Sequence, residues 1–178
     1  MEAPSFRAIG LRPPAERSPA PREVVSALQQ VSKGSPSRGP GAFAQLVDAE
    51  AVAGPRHLSL AVLRAERARR QGRVRLKDPG AAFLLYLSGT DQFSEAVRRA
   101  GISEATREGV LVIVPGEDPQ PWVDALSWLP SPETYPRPAR PETLLRLGAR
   151  AEEVRGLSPD RLELLAMEQT ALSDLPRG

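Results

Sequence analysis

The apolar and polar residues of the chain follow two patterns, one typical of strands and one typical of helices. SFRAIGL, residues 5–11, alternates enough between polar and apolar residues to predict a first short strand. A second is predicted near residue 43, where Phe43, Gln45 and Val47 alternate with Ala44 and Leu46. Uninterrupted apolar runs from Ala82 to Leu87 and from Val110 to Val114 have strand length and predict two buried strands. The sheet is therefore expected to hold about four strands.

Apolar residues recur every three to four positions in most other segments, which predicts helices. In the segment that begins at Pro55, Leu58, Ala61, Val62 and Ala65 form one apolar stripe. A second stripe contains Phe93, Ala96, Val97 and Ala100, and in a third segment Trp122, Leu126 and Leu129 share a face that is expected in the core. The predicted helices cover 21–33, 55–73, 90–102, 160–172 and the shorter segments 119–129 and 141–150. We predict an α/β (α+β) fold in which about five helices pack on a four-stranded sheet.

Proline and glycine mark the boundaries of these elements. Residues 34–41 and 130–141 are rich in both and predict connections. The length suits one domain over residues 1–178, with room for a real core. No apolar run approaches the length that spans a bilayer, and the N-terminus does not resemble a signal peptide. We expect a cytoplasmic protein without membrane contact.

The counts of cysteine and histidine exclude several kinds of site. The chain has no cysteine, which excludes disulfides, thiolate metal sites and cysteine nucleophiles. His57 is the only histidine, so a multi-histidine metal site is excluded and a catalytic triad would need this residue. We expect no metal, no cofactor and no enzymatic activity. An enzyme that uses His57 as a general base stays open as an alternative.

Charge is divided unevenly between the two parts of the chain. The first 102 residues hold 16 basic and 9 acidic side chains, whereas the last 76 hold 8 and 13. Arginine supplies 22 of the 24 basic residues. Arginine suits bidentate contacts with phosphate, although a bias in coding composition explains the same preference.

The strongest local charge lies between Arg56 and Lys77, where eight basic residues accompany one acid, Glu66. On the predicted helix these arginines project away from the apolar stripe. Such a face could bind a nucleic-acid backbone, or it could be an ordinary solvated face. The candidate residues are Arg56, Arg64, Arg67 and Arg70.

His57 lies close to the start of the same helix, where the helix dipole disfavours its protonation. A neutral imidazole there could bind a phosphate, a ribose or a base. The alternative is a structural histidine that a neighbouring loop satisfies.

The segment SGTDQF, residues 88–93, is expected to join a buried strand to a helix. Backbone N–H groups at such a junction can bind an anion, and Gly89 would let a ligand approach the backbone. Asp91 opposes a phosphate by its charge, and capping of its own helix is its default role, or that of Thr90.

The last predicted helix carries apolar residues on two sides. Ser158 and Pro159 are suited to its start. One stripe contains Leu162, Leu165, Ala166 and Leu172, and the opposite side contains Leu164, Met167, Ala171 and Leu175. A helix that is apolar all round is buried in its own core or against a partner. We expect a partner.

Several segments together resemble one known family. They are LVDAEAVAGPRHLSLAVLRAERA, FLLYLSGTDQFSEAVRRAGI, GVLVIV and the ending MEQTALSDL. These segments are similar to the smallest subunit of the KEOPS complex, the family of the PRPK-binding protein (TPRKB), and most of all to its archaeal members. Residues 42–127 carry the best match. The family's pattern is matched by Gly54, His57, Leu58, Ser88, Gly89, Thr90 and Gln92, and Phe93 is a tolerable replacement for its aliphatic residue. Asp91 stands where archaeal members usually have arginine.

The resemblance implies a non-catalytic subunit of the complex that makes threonylcarbamoyladenosine in tRNA. Such a subunit binds the small kinase-like subunit, supports its ATPase activity and, in archaea, captures the CCA end of tRNA. By analogy the last helix contacts the kinase through Leu164, Met167, Ala171, Leu172 and Leu175. The tRNA end is expected at Arg56, His57, Arg64, Arg67, Arg70, Ser88, Gly89 and Gln92. The alternative is a stand-alone RNA-binding protein without a kinase partner.

Overall fold

One antiparallel sheet organises the fold, which the computed structural model describes for residues 5–15, 20–35, 39–73 and 78–173. The strands are β1 (Arg7–Arg12), β2 (Phe43–Asp48), β3 (Gly109–Val114) and β4 (Leu129–Pro130). Their order across the sheet is β2-β3-β1-β4, and every neighbouring pair is antiparallel. With helices packed on this sheet, the predicted single-domain α+β fold is confirmed.

Eight α-helices lie in the part of the chain that the structure describes. They are α1 (Pro21–Gly34), α2 (Pro55–Arg70), α3 (Pro79–Ser88), α4 (Phe93–Ala100), α5 (Gln120–Leu126), α6 (Pro141–Arg146), α7 (Ala151–Val154) and α8 (Pro159–Leu172). A single 3₁₀ turn, Ala49–Ala51, follows β2. The short α7 was not predicted, because four residues are too few to show a helical period.

The sheet separates two apolar cores. Val110 and Val112 of β3 face the larger core, which contains residues of α2, α3 and α8. Leu111 and Ile113 face the smaller core, which α1 and α5 cover. Because helices cover both faces, every residue of β3 is buried, and the uninterrupted apolar run that predicted this strand follows from that burial.

The predicted strand from Ala82 to Leu87 is wrong, because this segment forms α3. The side chain of Asp78 caps the helix by accepting a hydrogen bond from the Gly80 N–H at 2.9 Å, and Pro79 occupies the first turn. Gly89 ends the helix with a left-handed φ of 64°. The run is apolar on all sides because α3 packs against α2, α4 and α8 as well as β2. The fourth strand is instead β4, which pairs with β1.

Two predicted apolar stripes are only partly buried. In α4, Ala96 and Ala100 are buried as expected, whereas Phe93 and Val97 are exposed. Helix α5 ends at Leu126 because Ser127 adopts a left-handed φ of 56°, so the predicted helix to residue 129 is too long.

Trp122 and Leu126 lie in the smaller core, as the sequence predicted. Leu129 was expected on the same face, but it is exposed in β4 because that strand begins after the helix has ended.

The last helix begins as predicted, since the Ser158 hydroxyl accepts a hydrogen bond from the Arg161 N–H at 3.4 Å. Leu162, Ala166 and Thr170 are buried, recur every four positions and form one face against the core, and Glu163 beside them is buried as well. Among the described residues, no helix has the length and apolar character needed to cross a membrane.

Candidate functional site

The N-terminus of α2 meets α8, and this junction brings candidate residues from both helices together. Gly54 is the N-cap of α2 and has no side chain to cap it, and Pro55 has no N–H group. The carboxylate of Glu163, from α8, takes the place of the cap. Its Oε1 accepts hydrogen bonds from the backbone N–H groups of Arg56 at 2.8 Å and His57 at 3.4 Å.

Arg56 is bound to the same carboxylate by its side chain. Its Nε donates a hydrogen bond to Glu163 Oε2 at 2.8 Å, and its guanidinium lies 3.4 Å from Asp160 Oδ1. Arg56 was predicted to contact nucleic acid. In the structure its guanidinium is half exposed, but two carboxylates of α8 neutralise it. A phosphate would have to compete with both of them.

His57 is fully buried, so the structure places its ring out of reach of a ligand at the surface. Its Nδ1 accepts a hydrogen bond from the Ala53 N–H at 3.2 Å, and its Nε2 donates one to the Leu87 carbonyl at 3.1 Å. Burial lowers the pKa of His57 to about 4, so the imidazole is neutral at pH 7. This is the structural histidine that the sequence left open as the alternative, and a general base with both nitrogens bonded to backbone is not available.

The predicted apolar stripe of α2 is buried, and the arginines lie on the other side of the helix. Arg67 and Arg70 are exposed, and Arg64 is partly buried. Arg70 donates a hydrogen bond to Glu66 Oε1 at 2.6 Å, and Arg69 binds the same carboxylate at 2.8 Å. Glu66 therefore neutralises part of the predicted basic face. Arg67 adds a positive charge next to the cluster of Glu66, Arg69 and Arg70.

Ser88 and Gly89 do not form the predicted strand-to-helix junction, because they end a helix. The Ser88 hydroxyl is buried and donates to the Leu84 carbonyl at 2.7 Å. The N–H groups of Gly89 and Thr90 donate to the carbonyls of Tyr86 and Leu85, at 3.3 Å and 3.2 Å. These N–H groups close the C-terminus of α3, so the predicted anion site at this position is wrong.

Gln92 is exposed and is the N-cap of α4. Asp91 and Thr90 were expected to cap this helix, and neither occupies the cap position. Thr90 instead stabilises the turn before the helix, because its hydroxyl accepts a hydrogen bond from the Gln92 N–H at 3.3 Å. Of the four matched residues in this segment, Ser88, Gly89, Thr90 and Gln92, only Gln92 presents an exposed side chain.

The side of α8 that was predicted to contact a partner is largely uncovered. Leu164 is 47% exposed and Leu172 is 60% exposed. Met167 and Ala171 are partly buried. Leu175 lies outside the described residues. Two exposed leucines on a helix whose opposite face is anchored in the core form an apolar surface, which we call the α8 surface and define as Leu164, Met167, Ala171 and Leu172.

The predicted basic face of α2, which we call the arginine face and define as Arg56, Arg64, Arg67 and Arg70, and the α8 surface belong to two helices that pack against each other. Their junction is the contact of Glu163 with the start of α2, and further along α8 the main chain and Cβ of Gln169 lie against Gly89. The structure thus brings Arg56, Gly89 and the last helix together, while His57 and Ser88 lie beneath this surface.

Sequence reasoning missed Glu163, which is buried although it is charged. Two signals point to it. A helix that begins at Gly54-Pro55 has no capping side chain of its own, so another element must supply an acceptor. In addition, Glu163 stands between Leu162 and Leu164, in a helix whose neighbouring residues are apolar.

A cavity of about 540 Å³ lies elsewhere, between α1 and the start of β2. None of the predicted site residues lines it. Within the described ranges, no group of three or more histidine, aspartate or glutamate side chains is arranged to hold a metal ion.

Comparison with known families gives one match. The family model described as "Kinase binding protein CGI-121" matches residues 25–129, which is more than half of the 178 residues. The matched range begins in α1 and ends at the first residue of β4, so it contains β2, β3, the arginines of α2 and the segment 88–93, whereas β1 and α8 lie outside it. A search of curated proteins gave no match.

Proposed function

This chain belongs to the CGI-121 family of kinase-binding proteins, and we propose from that premise that it is the kinase-binding subunit of a KEOPS complex. In this role it is a non-catalytic protein that supports the ATPase activity of the kinase-like subunit. It thereby takes part in the synthesis of threonylcarbamoyladenosine in tRNA. It needs no metal and no cofactor of its own, because the partner supplies the chemistry.

The observation that carries this proposal is the exposure of Leu164 and Leu172 on an otherwise anchored helix. Burying a leucine side chain against a partner contributes roughly 1.5 to 3 kcal/mol. Leu162 and Ala166 face the core, so α8 keeps its place while its other side binds. A folded partner with an apolar groove fits such a helix.

Mixing the protein with the kinase-like subunit tests this proposal. We expect a 1:1 complex by size-exclusion chromatography and a faster ATP hydrolysis by the kinase-like subunit. Leu172→Glu and Met167→Glu should each weaken the complex, because they bring a charge into an apolar contact. Val25→Glu is the matched control, since Val25 is 47% exposed on α1, beyond the opposite face of the sheet. An intact complex with both α8 variants would refute the proposed surface.

We propose a second contact, of the arginine face of α2 with tRNA. Arg67 and Arg70 are exposed, and Arg64 and Gln92 complete the set that can reach RNA. His57 and Ser88 act as positioning residues in this proposal, because both are buried beneath the face. Arg56 contributes only if phosphate displaces the carboxylates of α8.

Binding of tRNA with and without its CCA end tests the second contact. Intact tRNA should bind more tightly, and Arg64→Glu with Arg67→Glu should abolish the binding. Asp91→Arg should strengthen it, since a positive charge replaces a negative one at the position where archaeal members of the family usually have arginine. Equal affinities for intact and truncated tRNA would refute capture of the CCA end and leave the kinase contact untouched.

A further inference from the structure

The start of α2 depends on a carboxylate from a distant part of the chain. Its N-cap is Gly54, which offers no side-chain acceptor, and the helix dipole places partial positive charge at this end. Glu163, 107 residues after Arg56, accepts both of the backbone N–H groups that point out of the first turn. A negative charge at this position satisfies the N–H groups and the dipole together.

The Glu163 carboxylate is also held in place by a side chain on its solvent-facing side. The Arg56 side chain folds over its carboxylate and donates a hydrogen bond at 2.8 Å. The side chain of Glu163 is only 9% exposed. Hydrogen bonds from two backbone groups and one guanidinium therefore fix the carboxylate in position and direction.

Gly54 leaves the space that this carboxylate fills. A Cβ at residue 54 would overlap Glu163 Oε1 and would lie 2.6 Å from its Cδ. Gly54 also has a φ of 147°, which side-chain-bearing residues rarely adopt. Any larger residue at this position would push the Glu163 carboxylate away from the N–H groups.

We propose that Glu163 is a positioning residue for the kinase partner, an inference that rests on the proposed function. Leu164 follows Glu163 directly, and Leu172 lies nine residues after Glu163 in the same helix. The contact of Glu163 with the start of α2 fixes the rotation of α8 about its own axis and its position along that axis. Because successive residues of a helix are rotated by about 100° about that axis, this contact also fixes the directions of Leu164 and Leu172. The α8 surface is then ordered before the partner arrives, and binding costs less conformational entropy.

Three variants test the inference. Glu163→Ala removes the cap, Glu163→Gln keeps an acceptor without the charge, and Asp160→Asn removes the outer ion pair of Arg56 alone. We measure hydrogen exchange of the α8 amides relative to those of β3, and the affinity for the kinase-like subunit by calorimetry. Circular dichroism selects a temperature at which every variant is folded.

Glu163→Ala should speed the exchange of the α8 amides by about tenfold and weaken the partner by about tenfold, with unchanged exchange in β3. Glu163→Gln should give smaller changes in both measurements, and Asp160→Asn should stay within about twofold of the wild type. Faster exchange with unchanged affinity would overturn the inference, because the cap would then be merely structural. Unchanged exchange and affinity would overturn it as well.

A double-mutant cycle with Gly54→Ala separates the contact from backbone strain. The strain at φ 147° is the same in both backgrounds, whereas the overlap with the carboxylate exists only when Glu163 is present. Gly54→Ala should therefore weaken the partner less in the Glu163→Ala background than in the wild type. Equal effects in both backgrounds would overturn the inference. If the wild-type protein does not bind the kinase, the proposed function fails, and the exchange data then report on the cap alone.

Discussion

The imidazole of His57 joins the start of α2 to the end of α3, because its Nε2 donates a hydrogen bond to the Leu87 carbonyl at 3.1 Å. The other ring nitrogen accepts the Ala53 N–H at 3.2 Å. Only a neutral imidazole, protonated at Nε2, can form both bonds. Protonation of His57 therefore requires the loss of one bond in a fully buried place.

We expect the stability of the protein to fall as the pH is lowered from about 6.5 to about 4. Burial lowers the pKa of His57 from 6.5 to about 4 in the folded state, so in this window the unfolded chain binds a proton that the folded protein does not. Stability therefore rises with pH across the window, by up to about 3 kcal/mol.

Urea denaturation at several pH values measures this dependence. His57→Gln cannot titrate and should show a flatter dependence between pH 4.5 and 6.5, although it is less stable throughout. Because His57 is the only histidine, no other imidazole contributes to the difference. Parallel curves for the two proteins would contradict a neutral, buried His57.

The ion pair between the buried Asp48 and the partly buried Arg146 should contribute strongly to the stability of the fold. Asp48 is almost fully buried and accepts hydrogen bonds from Arg146 and from the Thr106 hydroxyl, each at 2.9 Å. Removal of Arg146 leaves a buried carboxylate without its charged partner, so we expect Arg146→Ala to lower the free energy of unfolding by about 3 kcal/mol. Chemical denaturation measures the loss. Arg155→Ala, at an exposed position, is the control and should change stability by less than about 0.5 kcal/mol.

A glycine pair separates backbone strain from packing at the contact between α3 and α8. Gly89 and Gly72 have nearly the same left-handed φ, 64° and 63°. A Cβ at Gly89 would lie 3.2 Å from Gln169 Cβ, whereas one at Gly72 would meet no heavy atom within 4 Å. Gly72→Ala should therefore cost only the strain of about 1 kcal/mol, and Gly89→Ala should cost more. Equal losses in thermal or chemical denaturation would show that α8 yields freely at this contact.

Glu66 should restrain the binding of RNA by the arginine face. It pairs with both Arg69 and Arg70, so Glu66→Gln frees two guanidinium groups for phosphate. We expect the variant to bind a single-stranded oligonucleotide more tightly, with a salt dependence steeper by about 0.7 for each added phosphate contact. Fluorescence anisotropy at several salt concentrations measures the slope.

Arg67→Gln should have the opposite effect on that slope, lowering it by about 0.7. Arg155→Gln serves as the matched control, because Arg155 follows α7 and is outside the arginine face. A slope that does not change in the Glu66 and Arg67 variants would place RNA on another surface.

Elements with a clear period could be predicted from the sequence, and elements that depend on distant contacts could not. The stripe around Leu58 and Ala61 in α2 and the apolar run of β3 lie where the pattern placed them. The run from Ala82 to Leu87 gave the wrong element, because a fully buried helix and a fully buried strand both lack polar positions. Asp78 and Gly89 carried the missing signal as the cap and stop of a helix.

The residues of the candidate site also divide into those that a periodic pattern predicts and those that depend on distant contacts. Exposure of Leu164 follows from a helical projection, which places it on the side of α8 opposite Leu162 and Ala166. The same projection grouped Leu172 with the buried stripe, and this grouping is wrong, because Leu172 is exposed in the last turn of the helix. The burial of His57 and the pairing of Arg56 with Glu163 depend on the packing of α8 against α2. A contact across 107 residues has no periodic signature in a single sequence, so the basic face was predicted to be larger than it is.

The order of strands in the sheet also determines when this protein can fold during synthesis. β3 pairs with both β1 and β2, yet it follows them in the chain, and Arg7 pairs with Ile113. At about 5 to 20 residues per second, a ribosome releases β1 roughly 5 to 20 seconds before its partner. Until then β1 and β2 lack the strand with which both of them pair, and their apolar side chains stay uncovered. The sheet can therefore form only after β3 has been synthesised, and the segment that precedes β3 is the part for which a chaperone has most to protect.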